Sequence, residues 1–179
     1  MAIQDTTELT LTPTQIEGPY YKVGSPHRSS LIEPGISGTR ILLTGRVLNE
    51  RGTPIPGAVV DFWQSDDRGN YDMVGNLLRG HVFTDSTGTY SLETIMPACY
   101  DPRQAKHIHA KVQGVSRPYT TQLYFSDDEN RVKDSYYMRE LEVQMEDLPG
   151  GSKKGTYNFV IRQVTEKENV TPESLAARV

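Results

Sequence analysis

Residues 107–113 read His-Ile-His-Ala-Lys-Val-Gln. Polar and apolar side chains alternate through this run, the period of a strand, so Ile108, Ala110 and Val112 share one face and His107 and His109 the other. Residues two apart on a strand lie roughly 6.5–7 Å apart, a gap that two inward-leaning imidazoles close on a single ion. Just upstream, Tyr100-Asp101-Pro102-Arg103-Gln104-Ala105-Lys106 adds a phenol and a turn within a short reach of backbone.

Working outward, the apolar runs are short and separated by turn signals. Strands are predicted over 41–49, 58–64, 81–84, 89–95, 107–113, 120–125 and 156–164, with turns at Arg51-Gly52-Thr53-Pro54, Asp66-Asp67-Arg68-Gly69-Asn70 and Asp85-Ser86-Thr87-Gly88. Ser126-Asp127-Asp128-Glu129 resembles a helix start, with acidic residues early as the helix dipole prefers, and predicts a helix to about residue 141. Thr171-Pro172-Glu173 predicts a second short helix at the C-terminus. About seven strands with turns between them point to a mainly β protein, a β-sandwich with long loops and a short helix. Residues 1–40 have neither helical nor strand period and form an N-terminal arm; residues 41–179 form the sandwich domain. A free tail has little use for Ile16, Tyr20, Tyr21 and Ile36, so the arm is expected to lie along the domain or across a partner subunit.

The 179 residues are enough for one domain with a real core. The net charge of −4 is mild and unclustered, which speaks against a nucleic-acid surface. No run approaches the ~20 apolar residues of a membrane span, and the N-terminus has neither a basic start nor an apolar core, so the simplest expectation is a cytoplasmic protein. Cys99 is the single cysteine, which excludes an intrachain disulfide and a cysteine-based zinc site.

An isolated His-x-His is half a metal site and more often marks ordinary surface or half-buried histidines. The tyrosines change the balance: Tyr71 follows one predicted strand end, and Tyr100 stands seven residues before His107. Phenolate oxygen is a hard anionic donor, and a trivalent iron lowers a tyrosine pKa from about 10 far enough to ionise it at neutral pH. Two phenolates and two imidazoles leave Fe(III) with open positions, which suits a substrate that is itself a bidentate oxygen chelator.

With these residues in view, the chain resembles the intradiol ring-cleavage dioxygenases, the non-haem ferric enzymes that include protocatechuate 3,4-dioxygenase and catechol 1,2-dioxygenase. The matching pieces come in the family's order: residues 12–21, Thr-Pro-Thr-Gln-Ile-Glu-Gly-Pro-Tyr-Tyr; Gly45-Arg46-Val47 with Pro54 and Gly57-Ala58; Trp63-Gln64 with Gly69 and Tyr71; Leu78-Arg79-Gly80; Thr84-Asp85 with Gly88 and Tyr90; Thr94-Ile95 with Pro97 and Tyr100; His107-Ile108-His109; and Thr121-Gln122. The resemblance implies a prealbumin-like sandwich, with Tyr71, Tyr100, His107 and His109 as ligands of a non-haem Fe(III). It implies cleavage of a catechol-type aromatic diol by O2 between the hydroxyl-bearing carbons, giving a muconate-type product. In that family the tyrosine at the Tyr100 position leaves the metal as substrate binds and takes a substrate proton, and Gln122 orients the reacting ring or its oxygens. The chain lacks room for the helical N-terminal domain of the catechol-type members, so the arm is expected to build a homo-oligomer, as in protocatechuate-type subunits.

One departure stands out. The family carries an arginine three residues before the first histidine, where its charge stabilises electron density on the substrate; here that slot holds Gln104, and Arg103 is four before. A shift by one reverses the side chain's face in extended backbone, so Arg103 is the expected catalytic arginine only if the loop bulges, with Arg79 as substitute. A carboxylated catechol needs a cation at its far end, from Lys106, Arg28 or Lys22. His27 and His81 read as structural, Trp63 and Phe62 as core, and Tyr20 and Tyr21 as packing of the arm or the mouth of the site. A non-catalytic prealbumin-like binding domain explains residues 41–95 and nothing beyond. A cupin-type site wants a Glu four or five residues after the second histidine, where Gln113 and Gly114 stand.

Overall fold

The computed structural model describes residues 8–115 and 117–162. Nine strands form β1 (Arg40–Leu48), β2 (Val59–Trp63), β3 (Arg79–Phe83), β4 (Thr89–Ile95), β5 (His107–Gln113), β6 (Tyr119–Phe125), β7 (Glu142–Asp147), β8 (Lys153–Thr156) and β9 (Phe159–Val160). The hydrogen-bonded order is β3-β2-β5-β6-β7-β8-β1-β4, with β9 on β1. The path folds over at a parallel link of two residue pairs, Tyr124 with Glu142 and Phe125 with Val143. This makes the protein a β-sandwich, as the short alternating runs predict.

The core lies between the two half-sheets. Val60, Phe62, Ile108, Ala110, Val112 and Leu123 come from one half and Ile41, Leu43, Val47, Leu92 and Val143 from the other. Their alternation along the strands follows from the period-2 geometry of extended backbone. The two half-sheets differ on their outer faces. Along β1 the buried positions alternate with partly or fully exposed ones, whereas every residue of β2 and β5 is buried.

The arm accounts for that difference. Residues 8–39 contain no strand, and their described course runs over the outer face of β2, β3, β5 and β6. The arm also closes the sandwich at both edges: His81 of β3 donates to the Pro26 carbonyl and accepts from Arg28 N–H, and Glu93 of β4 donates to Ser29 and accepts from Leu31. Edge strands left bare are templates for pairing with other chains, and one stretch of six residues satisfies both. Of the two expected placements, the described arm takes the one along its own domain.

The helix expected over 126–141 is not present. The segment holds two single 3-10 turns, Arg131–Lys133 and Arg139–Leu141, and then β7, which the sequence pattern did not reveal. Asp128 does not cap a helix; its carboxylate accepts from Lys106 N–H at 2.8 Å and Asn130 N–H at 3.1 Å. The strand expected over 156–164 is replaced by β8 and the short β9, which follow β1 in parallel. The C-terminal helix expected after Thr171 falls outside the described residues.

Candidate functional site

Both site histidines come from the outer face of β5, where strand alternation places them together: their rings lie 5.1 Å apart at 73°. The two tyrosines arrive from loops that the sequence fixes locally. After β2 the chain turns on Asp66, whose carboxylate accepts from Arg68 N–H and Asn70 N–H, each at 2.8 Å. Gly69 stands in this turn at φ 87°, and a side chain there would come within 2.7 Å of the Cys99 carbonyl oxygen, so only glycine lets the two loops meet. Tyr71 follows directly. The Asp72 carboxylate then takes N–H groups from Val74, Gly75 and Leu77, so Tyr71 is held between two side-chain-capped turns.

Tyr100 enters from the β4–β5 connection. Its N–H donates to the Arg103 carbonyl at 3.0 Å, a tight turn over Asp101-Pro102 that answers the register problem. Arg103 does reach the site: Nη1 lies 3.1 Å from His107 Nε2, and Nε is paired with Asp134 Oδ2 at 2.9 Å. The same Asp134 oxygen accepts from Ala105 N–H at 3.2 Å. The irregular 126–141 segment, through Asp128 and Asp134, is thus what shapes the 103–106 loop. Burial works to raise the Asp134 pKa, but Arg103 and the backbone donors hold it below the ordinary range.

The four residues converge. Ring centres are 5.6 Å apart for Tyr71 and Tyr100, 6.3 Å for Tyr71 and His109, and 5.5 Å for Tyr100 and His107. His107 Nδ1 lies 2.8 Å from the Ala105 carbonyl; a proton there fixes the tautomer and leaves the Nε2 lone pair facing inward. Tyr100 Oη lies 3.3 Å from that nitrogen. His109 is fully enclosed, and neither of its nitrogens has a hydrogen-bond partner; nor does the buried Tyr71 hydroxyl, which feels Tyr100 without closing a hydrogen bond of ordinary geometry. Each such orphan costs about 1–3 kcal/mol.

Burial, aided by Arg103, pushes the His107 pKa down to about 4, and burial with its neighbours takes His109 well below its usual value. Both imidazoles are therefore neutral at neutral pH, the His107 Nε2 lone pair facing Arg103 Nη1 and His109 without a partner. Burial raises both phenols, so neither ionises at neutral pH unless positive charge lies between them. Neutral imidazoles, protonated phenols and three orphaned donor atoms fit a cation of high charge at their centre. Among the described residues no group of three or more His, Cys, Asp or Glu side chains comes together, so the carboxylate that a cupin-type site needs is not at hand.

The surroundings add a ring that the sequence placed elsewhere and two that it left between the arm's packing and the mouth of the site. Trp63, read as core, lies flat on the His109 ring at 4.9 Å and 11°, and Tyr21 packs on Trp63 at 4.7 Å. Tyr20 stacks on Tyr71 at 4.3 Å and 12° and meets Tyr100 edge-on at 5.8 Å. Consecutive arm tyrosines thus back two different site residues; the signal was the paired Tyr20-Tyr21, whose target lies about fifty residues away in sequence. Arg79 is buried, but its donors serve the Tyr71 loop and the arm, which it braces: Nε the Asp72 carbonyl at 3.0 Å, Nη1 the Tyr20 carbonyl at 2.6 Å and Nη2 the Met73 sulfur at 3.4 Å. Gln122 stands opposite His109 in the β5–β6 register, yet its amide is committed, donating to the Ile16 carbonyl at 3.0 Å, with its oxygen 3.3 Å from Tyr124 Oη. His27 and His81 stack at 5.4 Å, away from the four converging residues.

A family model described as dioxygenase matches residues 16–163. The chain is similar to chlorocatechol 1,2-dioxygenase of Rhodococcus opacus, 31% identical over 147 residues, covering 65% of this chain and 57% of that protein. It is also similar to hydroxyquinol 1,2-dioxygenase of Nocardioides simplex, 27% identical over 150 residues, covering 70% and 51%. The matches therefore span only about half of these relatives' own lengths. Among solved structures, the dioxygenase domain of a dioxygenase and carbohydrate-binding protein fusion from the cellulolytic bacterium Streptomyces sp. SirexAA-E superposes with a TM-score of 0.82 at 37% identity. That match covers 87% of this chain and all of that one.

Proposed function

The chain belongs to the dioxygenase family of the intradiol ring-cleavage enzymes, and on that premise we propose that it is a non-haem Fe(III) enzyme opening a catechol-type ring with O2. The carbon–carbon bond between the two hydroxyl-bearing carbons breaks, and a muconate-type dicarboxylate forms. The observation that carries this reading is the convergence of Tyr71, Tyr100, His107 and His109 with Tyr71 Oη and both His109 nitrogens buried and unpartnered. The names of the relatives, catechol, chlorocatechol and hydroxyquinol 1,2-dioxygenase, support a vicinal diol as substrate.

These four side chains would hold the metal. A ferric ion there supplies the Lewis acidity and electron-accepting capacity that make a chelated diol reactive toward dioxygen. The protein's part follows from its own groups. Tyr100 is the less enclosed phenol, so it is the one assigned to take a substrate proton, held at Oη. Tyr71, sealed under Tyr20, stays in place. Arg103 keeps a permanent positive charge at the edge of the site, where it stabilises negative charge gathering on the ring oxygens; its ion pair with Asp134 fixes its direction. Gln122 acts as a positioning residue, tying the arm at Ile16 to β6 and so setting the wall against which the ring lies. The Tyr20, Tyr21 and Trp63 rings exclude water from the far side.

The test is the visible spectrum and iron content of the purified chain, followed by oxygen uptake with catechol. About one iron per chain, a broad wine-red tyrosinate band lost in Tyr71→Phe, and one O2 consumed per ring opened are expected. A chain that stays colourless after iron reconstitution and consumes no oxygen overturns the proposal.

A further inference from the structure

We infer, resting on the ring-cleavage reading, that the groove between the arm and residues 135–138 is a subsite for a neutral, apolar substituent carried by the diol. The groove has a volume of about 480 Å³ and is lined by residues 14–16 and 135–138. It borders the site through two contacts. The Tyr136 ring, in its lining, lies 4.9 Å from the Arg103 guanidinium carbon, and Ile16, also in its lining, is the residue whose carbonyl Gln122 holds. Gln15 joins the two sides, donating to the Tyr136 carbonyl and accepting from Tyr124 Oη at 2.8 Å. Arg103 Nη2 reaches that same hydroxyl at 3.3 Å.

The lining decides what fits. Ile16, Tyr136 and Met138 are large, exposed and apolar, and no charged side chain is among the lining residues. Of the three cations considered for a carboxylate, Lys106 is not among the lining residues and the other two are committed elsewhere. Lys22 Nζ donates to the Val74 and Gly75 carbonyls at 3.2 and 2.5 Å, and Arg28 pairs with Glu33 at 2.6 Å while donating to the Arg79 carbonyl. A carboxylate entering the groove would lose water and meet only Arg103, whose charge is already paired with Asp134, whereas an alkyl, alkenyl or aryl group gains contact with Ile16 and Met138 and a ring to stack on.

The experiment measures binding of catechol, 4-propylcatechol and protocatechuate to the iron-loaded chain by calorimetry without oxygen, then ring opening of each with oxygen. Full burial of a propyl chain at the usual value per methylene predicts roughly 60-fold tighter binding of 4-propylcatechol than of catechol, with protocatechuate weakest. Met138→Lys, an exposed change outside the ligand set, is expected to erase the propyl advantage and raise protocatechuate affinity several-fold. Equal affinity for catechol and 4-propylcatechol, or an unchanged ranking in Met138→Lys, overturns the subsite. Tighter binding of 4-propylcatechol with no ring opening of any of the three upholds the groove and removes the ring-cleavage reading instead.

Discussion

The two half-sheets are built from the same kind of strand and do different work. On β1 and β4 one face meets the core and the other meets water, so Leu42, Arg46, Ser91 and Glu93 stand exposed between buried neighbours. On β2 and β5 the second face is buried as well, under the arm and the loops that carry Tyr71 and Tyr100. Asp61, Trp63, His107, His109 and Lys111 occupy that covered face. Polar residues at outward positions therefore carry opposite meanings in the two halves. In one they are solvated; in the other they are sealed, and either partnered or, as with His109, without a hydrogen-bond partner.

The sharpest way to break this contrast is to exchange stability for activity across it. His109→Leu removes two buried nitrogens that have no partner, so the metal-free protein is expected to be as stable as the wild type or about 1–2 kcal/mol more so. Its ring-opening rate is expected to fall at least 10³-fold, about 4 kcal/mol. Leu43→Ala on β1, at a fully buried position of the core, is expected to do the reverse: about 3 kcal/mol of stability lost, with turnover per folded molecule retained. Denaturant melts of metal-free protein beside single-turnover rates would check both. A destabilised His109→Leu chain would mean that its imidazole is a packing element.

How legible each half was follows from the same physics. The strands β1 and β4 announce themselves because solvent on one face enforces alternation. The strand β5 was equally readable, but its alternation suggested nothing about the cover. The four converging residues were legible because their order along the chain matched a known pattern. Their supports were not: Trp63 on His109 and Tyr20 on Tyr71 are pairings over 46 and 51 residues, set by how the arm drapes. The segment 126–141 misled because Ser126-Asp127-Asp128-Glu129 carries the chemistry of a helix cap, while the structure spends Asp128 on Lys106 N–H and Asp134 on Arg103. Arg103 was displaced by one residue in sequence, and the turn at Tyr100 restored it.

Asp61 sharpens the comparison further, because it is a buried carboxylate on the covered face, whereas Glu93 on the solvated one is exposed. It is bonded by Ser25 Oγ at 2.6 Å and flanked in register by His81 and Lys111. Burial raises its pKa to about 6, with Ser25, Lys111, Tyr21 and Arg79 opposing. The folded chain thus holds this proton more tightly than the unfolded chain does. The associated stability is present below about pH 4 and is lost as the pH rises through 6, a decline of about 3 kcal/mol from this one group. Asp61→Asn is expected to flatten the stability profile between pH 4 and 6. A slope there identical to that of the wild type would show that the carboxyl is not strained by its burial.

The smallest effects separate the two faces at single outward positions. Lys111 Nζ stands 3.5 Å above the centre of the Tyr21 ring and 2.6 Å from Glu17. Tyr21 packs on Trp63 and Trp63 on His109, so the lysine is the outermost member of a stack that ends at the site. Lys111→Met keeps much of the side chain's bulk and removes the charge. It is expected to cost about 1–2 kcal/mol, the range of a desolvated cation over an aromatic face, and to hasten proteolysis within residues 17–25 while leaving the half-sheet of β1 intact. Leu42→Thr, at an exposed outward position of β1, is expected to change stability by less than about 0.5 kcal/mol and to leave cleavage of the arm unaltered. If both substitutions fall within that smaller range, the arm is held by its backbone bonds to His81 and Glu93 and not by the side chains beneath it. The covered face would then differ from the open one in accessibility alone.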